Sequence, residues 1–489
     1  MVPCDGCLST ILVHLITSTH KFQLKGSGVN MAEAQQPRRE LIRGLGVSHA
    51  TAVVVGTIIG SGIFLVPREM MQAVGTAKMV YLAWIVGGVL SFFGALTYAE
   101  LGAMKPESGG EYAYIRDAFG PMCSFLYAWT WFIVAKPASI GTVTMGVVRV
   151  LSRFEALAFL QHEAFHIGLS VSWGQLFAIS MAIAISALNY IGIRKAGAFQ
   201  LFFTVLKVLM VLVIIGFGFA AATGSFSNFA TTFPGAQGGI AGFFAALVAA
   251  LWAYDGWNDL NMVGGEVSNP ERNIPIALVL GVAIVGALYM LLNAAVQYVM
   301  PAFQIANSQS AASDMMRIAV GPLGASVVAI GMALSMLVTL NGTTMSGARV
   351  PFAVARDGYF FKRLAEVHPV FHTPSFAIIV QCVLSILLLL VAGTFRELFS
   401  LAIFAEWLFY MIATSTIFYY RRHVPDSQRP YKMIGYPVIP AVFVLASAAL
   451  LFYTFFDNLR NSAGGVIVIL AGIPIYLWFA KRRVVSESQ

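Results

Sequence analysis

Three glycines and a serine interrupt the first long apolar run of this chain, in the stretch Gly56-Thr57-Ile58-Ile59-Gly60-Ser61-Gly62-Ile63-Phe64. The run, from Val47 to Val66, is long enough to cross a bilayer, and glycine weakens a helix at its middle. Lipid tolerates free backbone groups only where they line a cavity or meet a ligand. The stretch therefore predicts a broken helix whose N–H groups face an anion and whose carbonyls face a cation, so that one zwitterion satisfies both. Close helix packing through small residues is the alternative.

The composition places the chain in a membrane. Hydrophobic residues make up 58% of the 489 residues and charged residues 11%, whereas soluble domains carry about 25% charged residues. We therefore predict an all-α polytopic membrane protein. The cysteines, at positions 4, 7, 123 and 382, imply no disulfide framework. Because Cys4 and Cys7 form a lone CxxC without a second pair, we predict neither a metal site nor a cofactor.

Apolar windows of about 20 residues predict twelve transmembrane helices, near residues 47–66, 80–104, 119–148, 171–192, 197–222, 239–264, 275–300, 321–347, 375–393, 397–420, 435–457 and 463–480. Residues 1–43 are predicted to be a cytoplasmic tail, within which Met31 is an alternative start. Most Lys and Arg residues outside the windows fall on the side that holds both termini, including residues 481–489, so both termini are predicted to be cytoplasmic.

The sixth window carries a second polar, glycine-bearing interruption, Ala253-Tyr254-Asp255-Gly256-Trp257-Asn258. Two broken helices five spans apart are typical of an inverted five-plus-five repeat, because an odd number of spans reverses the second copy. We therefore predict a first repeat over residues 44–222, a second over 239–420, and two further helices over 435–480.

Lys207 lies well inside the fifth window, where a charged side chain is costly and usually functional. One interpretation is that its ammonium replaces a bound sodium ion and ties the first helix to the eighth through Thr343, Thr344 or Ser346. The alternatives are a structural hydrogen bond between helices and a proton change linked to transport.

Several side chains near the second interruption are candidate binding residues. Asp255 either senses a substrate or proton or caps a half-helix, and capping is slightly favoured. Trp252 and Tyr254 offer faces that would close over a small ligand, with plain aromatic packing as the alternative. Lys136, in the third window, faces either the pathway or an interface. Glu100 and Glu406 are further acids inside windows.

No pattern for catalysis competes with these features. The chain contains no HExxH, no P-loop and no GxSxG, and its eight histidines are scattered. We therefore predict that the protein is not an enzyme.

At these residues the chain resembles the amino acid-polyamine-organocation (APC) superfamily of transporters, and within it the L-type amino acid transporter family with its bacterial serine/threonine and alanine exchangers. The matching stretches are residues 55–64, 106–114, 253–258 with 266–275, and 341–358. Together they cover most of the chain from about residue 38 onward, and the combination is more specific than any one stretch.

The resemblance implies a LeuT-like fold with helices 1 and 6 broken. It implies that the substrate carboxylate meets Gly60, Ser61 and Gly62, and that the substrate ammonium meets carbonyls near Thr57, Ile58, Trp252 and Asp255. It also implies an aromatic gate at Trp252, a supporting polar side chain at Asn258, and a lysine in place of sodium at Lys207.

Two departures from the family pattern leave the substrate open. The larger neutral transporters tend to have glycine where this chain has Asp255. At the position of Lys136 some relatives have an uncharged residue and others, with anionic substrates, have arginine. The animal members are disulfide-linked to a single-span glycoprotein through a cysteine between spans three and four. Residues 149–170 contain none, so we expect no such heavy chain, as in a bacterial or otherwise unpartnered transporter.

The main functional hypothesis is sodium-independent, alternating-access exchange of small or medium neutral L-amino acids across the cell membrane. A second hypothesis is proton-coupled uptake, with Lys207, Asp255 or Glu406 taking the proton. A third is an amino acid sensor that binds without transport, although the largest predicted inside loop, residues 356–372, is short.

Overall fold

The computed structural model describes residues 40–166, 170–392, 395–457 and 459–487. Most of the predicted N-terminal tail, with Cys4, Cys7 and Met31, lies outside these ranges. The helices in chain order are α1 (Val47–Ile58), α2 (Gly62–Val74), α3 (Ala77–Met104), α4 (Glu111–Phe119), α5 (Pro121–Thr130), α6 (Lys136–Leu151), α7 (Trp173–Tyr190), α8 (Ile193–Ala220), α9 (Gly239–Ala253), α10 (Asp259–Met262), α11 (Pro270–Val299), α12 (Ala302–Asn307), α13 (Ala311–Val320), α14 (Pro322–Gly347), α15 (Arg349–Arg356), α16 (Ser375–Ala392), α17 (Phe395–His423), α18 (Val438–Asp457) and α19 (Leu459–Glu487).

The lengths and apolar character of these helices confirm a helical, polytopic membrane protein. Within the described ranges, nine segments are long and apolar enough to cross a membrane, namely 47–74, 77–104, 121–151, 173–190, 193–220, 270–299, 322–356, 438–456 and 462–483. Two shorter helices, Gly239–Ala253 and Ser375–Val391, are also apolar. A short antiparallel hairpin of β1 (Glu163–His166) and β2 (Ser170–Ser172) follows α6.

The first apolar run is broken where its glycines predict. Helix α1 ends at Ile58 and α2 begins at Gly62. The run does not end at Val66, as the apolar window suggested, because α2 continues past Pro67 to Val74 and stops at Gly75, whose φ of +71° is left-handed. The predicted window was too short because it counted only apolar residues.

The second break follows α9. Between Ala253 and Asp259 the chain is not helical, and Gly256 takes a φ of +109° that favours glycine. Helix α10 has only four residues, so the predicted span 239–264 is half a helix followed by turns. A Cβ at Gly256 would lie 2.9 Å from the Thr57 Cγ2 atom. The two breaks therefore lie against each other.

Long helices surround the two breaks. Helix α11 packs on α3 and α1, and α14 packs on α6, α8 and α1. A buried ion pair fixes the segment after α10: the Arg349 guanidinium donates to both oxygens of the Glu266 carboxylate, at 2.7 and 3.0 Å, and neither side chain is exposed. This arrangement holds the breaks between fixed helices.

Candidate substrate site

A cavity opens where the two breaks meet. Both breaks and helices α6, α14 and α17 contribute to its wall, and the lining includes Thr57, Ile58, Gly60, Ser61, Gly62, Lys136, Ser139, Thr142, Trp252, Asp255, Gly256, Asp259, Thr339, Thr343 and Glu406. Seven of the nine residues predicted to bind substrate are on this wall: Thr57, Ile58, Gly60, Ser61, Gly62, Trp252 and Asp255.

The start of α2 faces the cavity with free backbone donors. The first N–H groups of a helix have no partner within it, so the amides at Ser61 and Gly62 can receive an anion. A Cβ at Gly62 would lie 3.0 Å from the Ala253 Cα atom. Glycine at this position thus serves close packing as well, and the two interpretations of the stretch do not exclude each other.

The carbonyls at the end of α1 are held by side chains from other helices. The Lys207 ammonium donates to the carbonyls of Gly56, Ile59 and Ser335, at 2.6, 2.7 and 3.3 Å. The Thr339 hydroxyl lies 3.3 Å from the Thr57 carbonyl. Lys207 therefore ties the first break to α14.

The α14 residue that contacts the first break beside Lys207 differs from the three that the sequence suggested. The contact from α14 comes from Ser335, whose hydroxyl donates to the Ile59 carbonyl at 2.7 Å. Thr344 and Ser346 lie about two and a half and about three turns beyond Ser335 on α14. Both donate to carbonyls of their own helix. Thr343 lines the cavity instead. The sequence misplaced the contact because several hydroxyl residues follow one another on α14 and only the helix crossing selects among them.

Tyr289, on α11, connects the two breaks and was missed by the sequence analysis. Its hydroxyl lies 3.1 Å from the Ile58 carbonyl and 2.8 Å from the Ala253 carbonyl. Its ring packs edge-on against Trp84, with centroids 5.3 Å apart. A tyrosine inside an apolar helix was the available signal, because a buried hydroxyl requires a partner.

Tyr254 does not contact the cavity, which corrects its predicted role in substrate binding. It is buried and packs against Trp84 and Tyr289, with ring centroids 5.6 and 5.1 Å away. Trp252 and Tyr254 are two positions apart at the end of α9 and point in different directions, so Trp252 lines the cavity while Tyr254 faces α3 and α11.

Asp255 and Asn258 belong to one hydrogen-bonded group. The Tyr410 hydroxyl lies 2.8 Å from the Asp255 carboxylate and 3.1 Å from the Asn258 side-chain oxygen. Asn258 also donates to the Glu111 carboxylate at 2.8 Å, although it does not line the cavity itself. Asp255 does not cap α10, although capping was slightly favoured from the sequence. Asn258 occupies the N-cap position of that helix, and no side chain caps it.

Lys136 faces the cavity and is paired. Its ammonium lies 2.5 Å from the Asp259 carboxylate, and both side chains are buried. A π-helical turn, Trp131–Ala135, directly precedes Lys136 in the third span, and such turns are frequent at functional sites. Asp259 lies one residue beyond the predicted interruption, which is why the sequence analysis missed it.

Of the two further acids, only Glu406 lines the cavity. Glu100 instead lies 2.6 Å from Arg421 and 3.4 Å from Arg429, where it fixes the segment after α17. Sequence position alone does not separate these two buried glutamates, since each lies inside an apolar window.

The arrangement suits a small zwitterion. The free amides at the start of α2 and the carbonyl of Thr57 belong to the first break, residues of the second break complete the lining, and Trp252 forms part of the wall. Among the described residues, no group of three or more His, Cys, Asp or Glu side chains has the arrangement of a metal site.

Comparison with known proteins agrees with this geometry. The profile of the amino acid permease family matches residues 45–480. The chain is 31% identical over 450 residues to the serine/threonine exchanger SteT of Bacillus subtilis, a match that covers 90% of this chain and 97% of the relative. It is 31% identical over 446 residues to the human cystine/glutamate transporter, covering 91% and 86% of the two chains. It is 31% identical over 468 residues to the b(0,+)-type amino acid transporter 1 of Mus musculus, covering 94% and 90%.

These relatives are amino acid exchangers and transporters, and they match this chain along nearly its whole length. The resemblance inferred from the helix breaks is thereby confirmed, and the chain belongs to the amino acid permease family of the APC superfamily.

Proposed function

We propose that the protein exchanges small to medium neutral L-amino acids across the cell membrane by alternating access, without sodium. In this proposal the chain crosses the membrane twelve times as a LeuT-like inverted five-plus-five repeat with two additional helices, and both termini are cytoplasmic. The protein is a transporter and not an enzyme.

The observation that carries the proposal is that both helix breaks line one cavity. The substrate carboxylate binds the amides of Ser61 and Gly62 together with the Ser61 hydroxyl. The Gly60 amide, which the resemblance included, already donates to the Ile58 carbonyl at 2.8 Å.

The substrate ammonium binds carbonyls at the end of α1 and near Trp252. Because each carbonyl oxygen has two lone pairs, the hydroxyl of Thr339 leaves room for a second donor at the Thr57 carbonyl. The Ile58 carbonyl already accepts from the Tyr289 hydroxyl and from the Gly60 N–H.

Exchange follows from the need to satisfy these backbone groups. An occupied site closes because the zwitterion replaces water at the breaks, whereas an empty site leaves the amides at the start of α2 unpaired in a low-dielectric interior. Lys207 holds only the Gly56 and Ile59 side of the first break. The empty carrier therefore changes state slowly, and the return step needs a second substrate.

Lys207 also supports sodium independence, because its ammonium occupies the carbonyl cage that a cation would require. No disulfide-linked heavy chain is part of the proposal, since residues 149–170 contain no cysteine.

The experiment is uptake of radiolabelled serine, alanine and leucine into proteoliposomes in sodium-free buffer at symmetric pH. We expect uptake only when the vesicles contain amino acid, and the rates rank the substrates. Rapid efflux from preloaded vesicles into substrate-free buffer would contradict obligatory exchange. Binding without any flux would favour a sensor.

Proton-coupled uptake is the second candidate, and one observation favours it: the buried Glu406 and the half-buried Asp255 both line the cavity. Under this alternative, acidification of the outside drives accumulation into empty vesicles. Such accumulation, absent at symmetric pH, would replace the exchange proposal.

A further inference from the structure

A groove runs along the outer surface of the protein between helices α1, α8 and α11. Its wall is mostly apolar, with Val55 on α1, Val205 on α8 and Ile284 on α11 among its residues. From Arg272 to Ile284 it follows α11 for twelve residues, which is about 18 Å of helix. One leaflet of the bilayer core is about 15 Å thick. The groove therefore has the length and the apolar character that one acyl chain of a lipid needs.

A second groove lies on the other side of a ridge on α8. The ridge consists of Leu201, Val205 and Leu209, which are four residues apart and line both grooves. Thr204 belongs to the first groove only and Phe202 to the second only, and these two residues project from opposite sides of the ridge. Two grooves that flank one ridge suit the two acyl chains of a single phospholipid.

The threonines inside the first groove are already bonded to the protein. The Thr51 hydroxyl donates to the Val47 carbonyl at 2.9 Å. The Thr204 hydroxyl donates to the Ala52 carbonyl at 3.2 Å. Because these hydroxyls are satisfied by the backbone of α1, the interior of the groove favours an apolar chain over a polar ligand.

The mouth of the first groove is polar and basic. Ser48, in the first turn of α1, and Arg272, in the first turn of α11, both line the groove and are exposed. Within the described part of the chain, no hydrogen bond or ion pair reaches either side chain. Glu271, next to Arg272 in the sequence, is also exposed but does not line the groove. The mouth thus offers a free guanidinium and a free hydroxyl to a ligand.

Two further arginines stand beside this mouth. The Ser268 hydroxyl, just before α11, donates to the Arg43 carbonyl at 3.1 Å. A Cβ at Gly44 would lie 3.0 Å from the Arg194 Cγ atom at the start of α8. Arg43 and Arg194 are exposed, as Arg272 is. The positive charge lies on the membrane face that is predicted to be cytoplasmic, where anionic lipids attract such clusters.

We propose that these two grooves bind one anionic diacyl phospholipid, with its phosphate at Arg272 and Ser48 and one acyl chain on each side of the α8 ridge. The guanidinium selects the head group, because it forms charge-assisted hydrogen bonds with phosphate oxygens. The site is separate from the substrate cavity, since the two have no lining residue in common. The inference therefore stands independently of which amino acid the protein carries.

The charge of the head group is tested with two lipids that have the same chains. Dioleoyl-phosphatidylglycerol and dioleoyl-phosphatidylcholine are titrated onto the delipidated full-length protein in detergent, and native mass spectrometry counts the bound molecules. We expect one phosphatidylglycerol molecule to bind about tenfold more tightly than phosphatidylcholine, or better. Glycerol 3-phosphate, which carries the phosphate without the chains, should not displace it.

Two variants test the two parts of the site. Arg272→Gln removes the charge at the mouth and should reduce the preference for phosphatidylglycerol about fivefold. Leu280→Trp fills the first groove, which Leu280 lines, and should weaken the binding of both lipids. The matched controls are Arg422→Gln, at an exposed arginine in the last turn of α17, and Leu445→Trp, at an exposed leucine on α18. Both controls should bind the two lipids as the wild type does.

Equal affinities for the two lipids in the wild-type protein would overturn the inference, and this comparison needs no variant to fold. Unchanged lipid binding in both Arg272→Gln and Leu280→Trp would also overturn it, because the lipid would then bind elsewhere. Displacement by glycerol 3-phosphate would mean a phosphate site without acyl grooves. A dimer that Leu280→Trp dissociates would assign the groove to a second copy of this chain. None of these results depends on amino acid exchange, so the proposed function stands or falls separately.

Discussion

The Tyr289 hydroxyl lies 3.1 Å from the carbonyl of Ile58 and 2.8 Å from that of Ala253, so a single side chain contacts both helix breaks. These carbonyls belong to helices α1 and α9, which are far apart in the sequence. Tyr289 therefore sets the distance between the two half-sites from outside the cavity, because it is not among the lining residues.

We predict that Tyr289→Phe weakens substrate binding and destabilises the protein by about 1–3 kcal/mol, because the one hydroxyl proton shared between two buried carbonyls is lost. Thermal unfolding in detergent and exchange in proteoliposomes measure the two effects. Tyr81→Phe is the matched control, since the buried Tyr81 hydroxyl has no hydrogen-bond partner among the described groups. Equal losses in the two variants would show that the bridge contributes nothing.

Lys136 and Asp259 give a second prediction through their buried ion pair. Lys136→Met leaves an unpaired carboxylate beside the cavity, and breaking a buried pair in this way costs about 3–5 kcal/mol. The double variant Lys136→Met with Asp259→Leu removes both charges and should recover most of that loss. Unfolding temperatures of the two single variants and the double variant complete the cycle. If the stability lost by the double variant equals the sum of the losses in the two single variants, the two side chains are not coupled.

Lys207 gives a third prediction. Lys207→Met removes the donor that the Gly56 and Ile59 carbonyls share, so the end of α1 loses its support and exchange should fall more than tenfold. Lys195→Met is the control, because Lys195 is an exposed lysine near the start of the same helix α8. Normal exchange in Lys207→Met would show that the three carbonyl contacts are dispensable.

The sequence predicted both helix breaks because glycine in the middle of an apolar run has few explanations in a membrane. It also placed Lys207 correctly near the first break, since a lysine inside a bilayer must find carbonyls or acids. It did not predict Ser335 or Tyr289, because the choice of partner depends on how helices cross. Tyr254 and Trp252 show the same limit, as two aromatic residues separated by one position point to different sides.

Glu111 gives a prediction about pH that lies outside the membrane-spanning segments. It begins the short helix α4 between the second and third spans, and burial raises its pKa to about 7, although Asn258 and Tyr127 donate to its carboxylate. The usual pKa is 4.5. Between these two values the folded protein retains a proton that the unfolded chain has released, so this group makes the fold less stable as pH rises through that interval.

We therefore expect Glu111→Gln to remove a pH dependence of stability that the wild type shows. Thermal unfolding in detergent at about pH 5 and at about pH 8 measures it, and the contribution of Glu111 is on the order of 3 kcal/mol. In the wild type the unfolding temperature should fall between these conditions, whereas the fall should be smaller in Glu111→Gln. Glu155→Gln, an exposed acid, should behave like the wild type. If Glu111→Gln loses as much stability on going to high pH as the wild type does, the buried carboxyl is not the group that titrates.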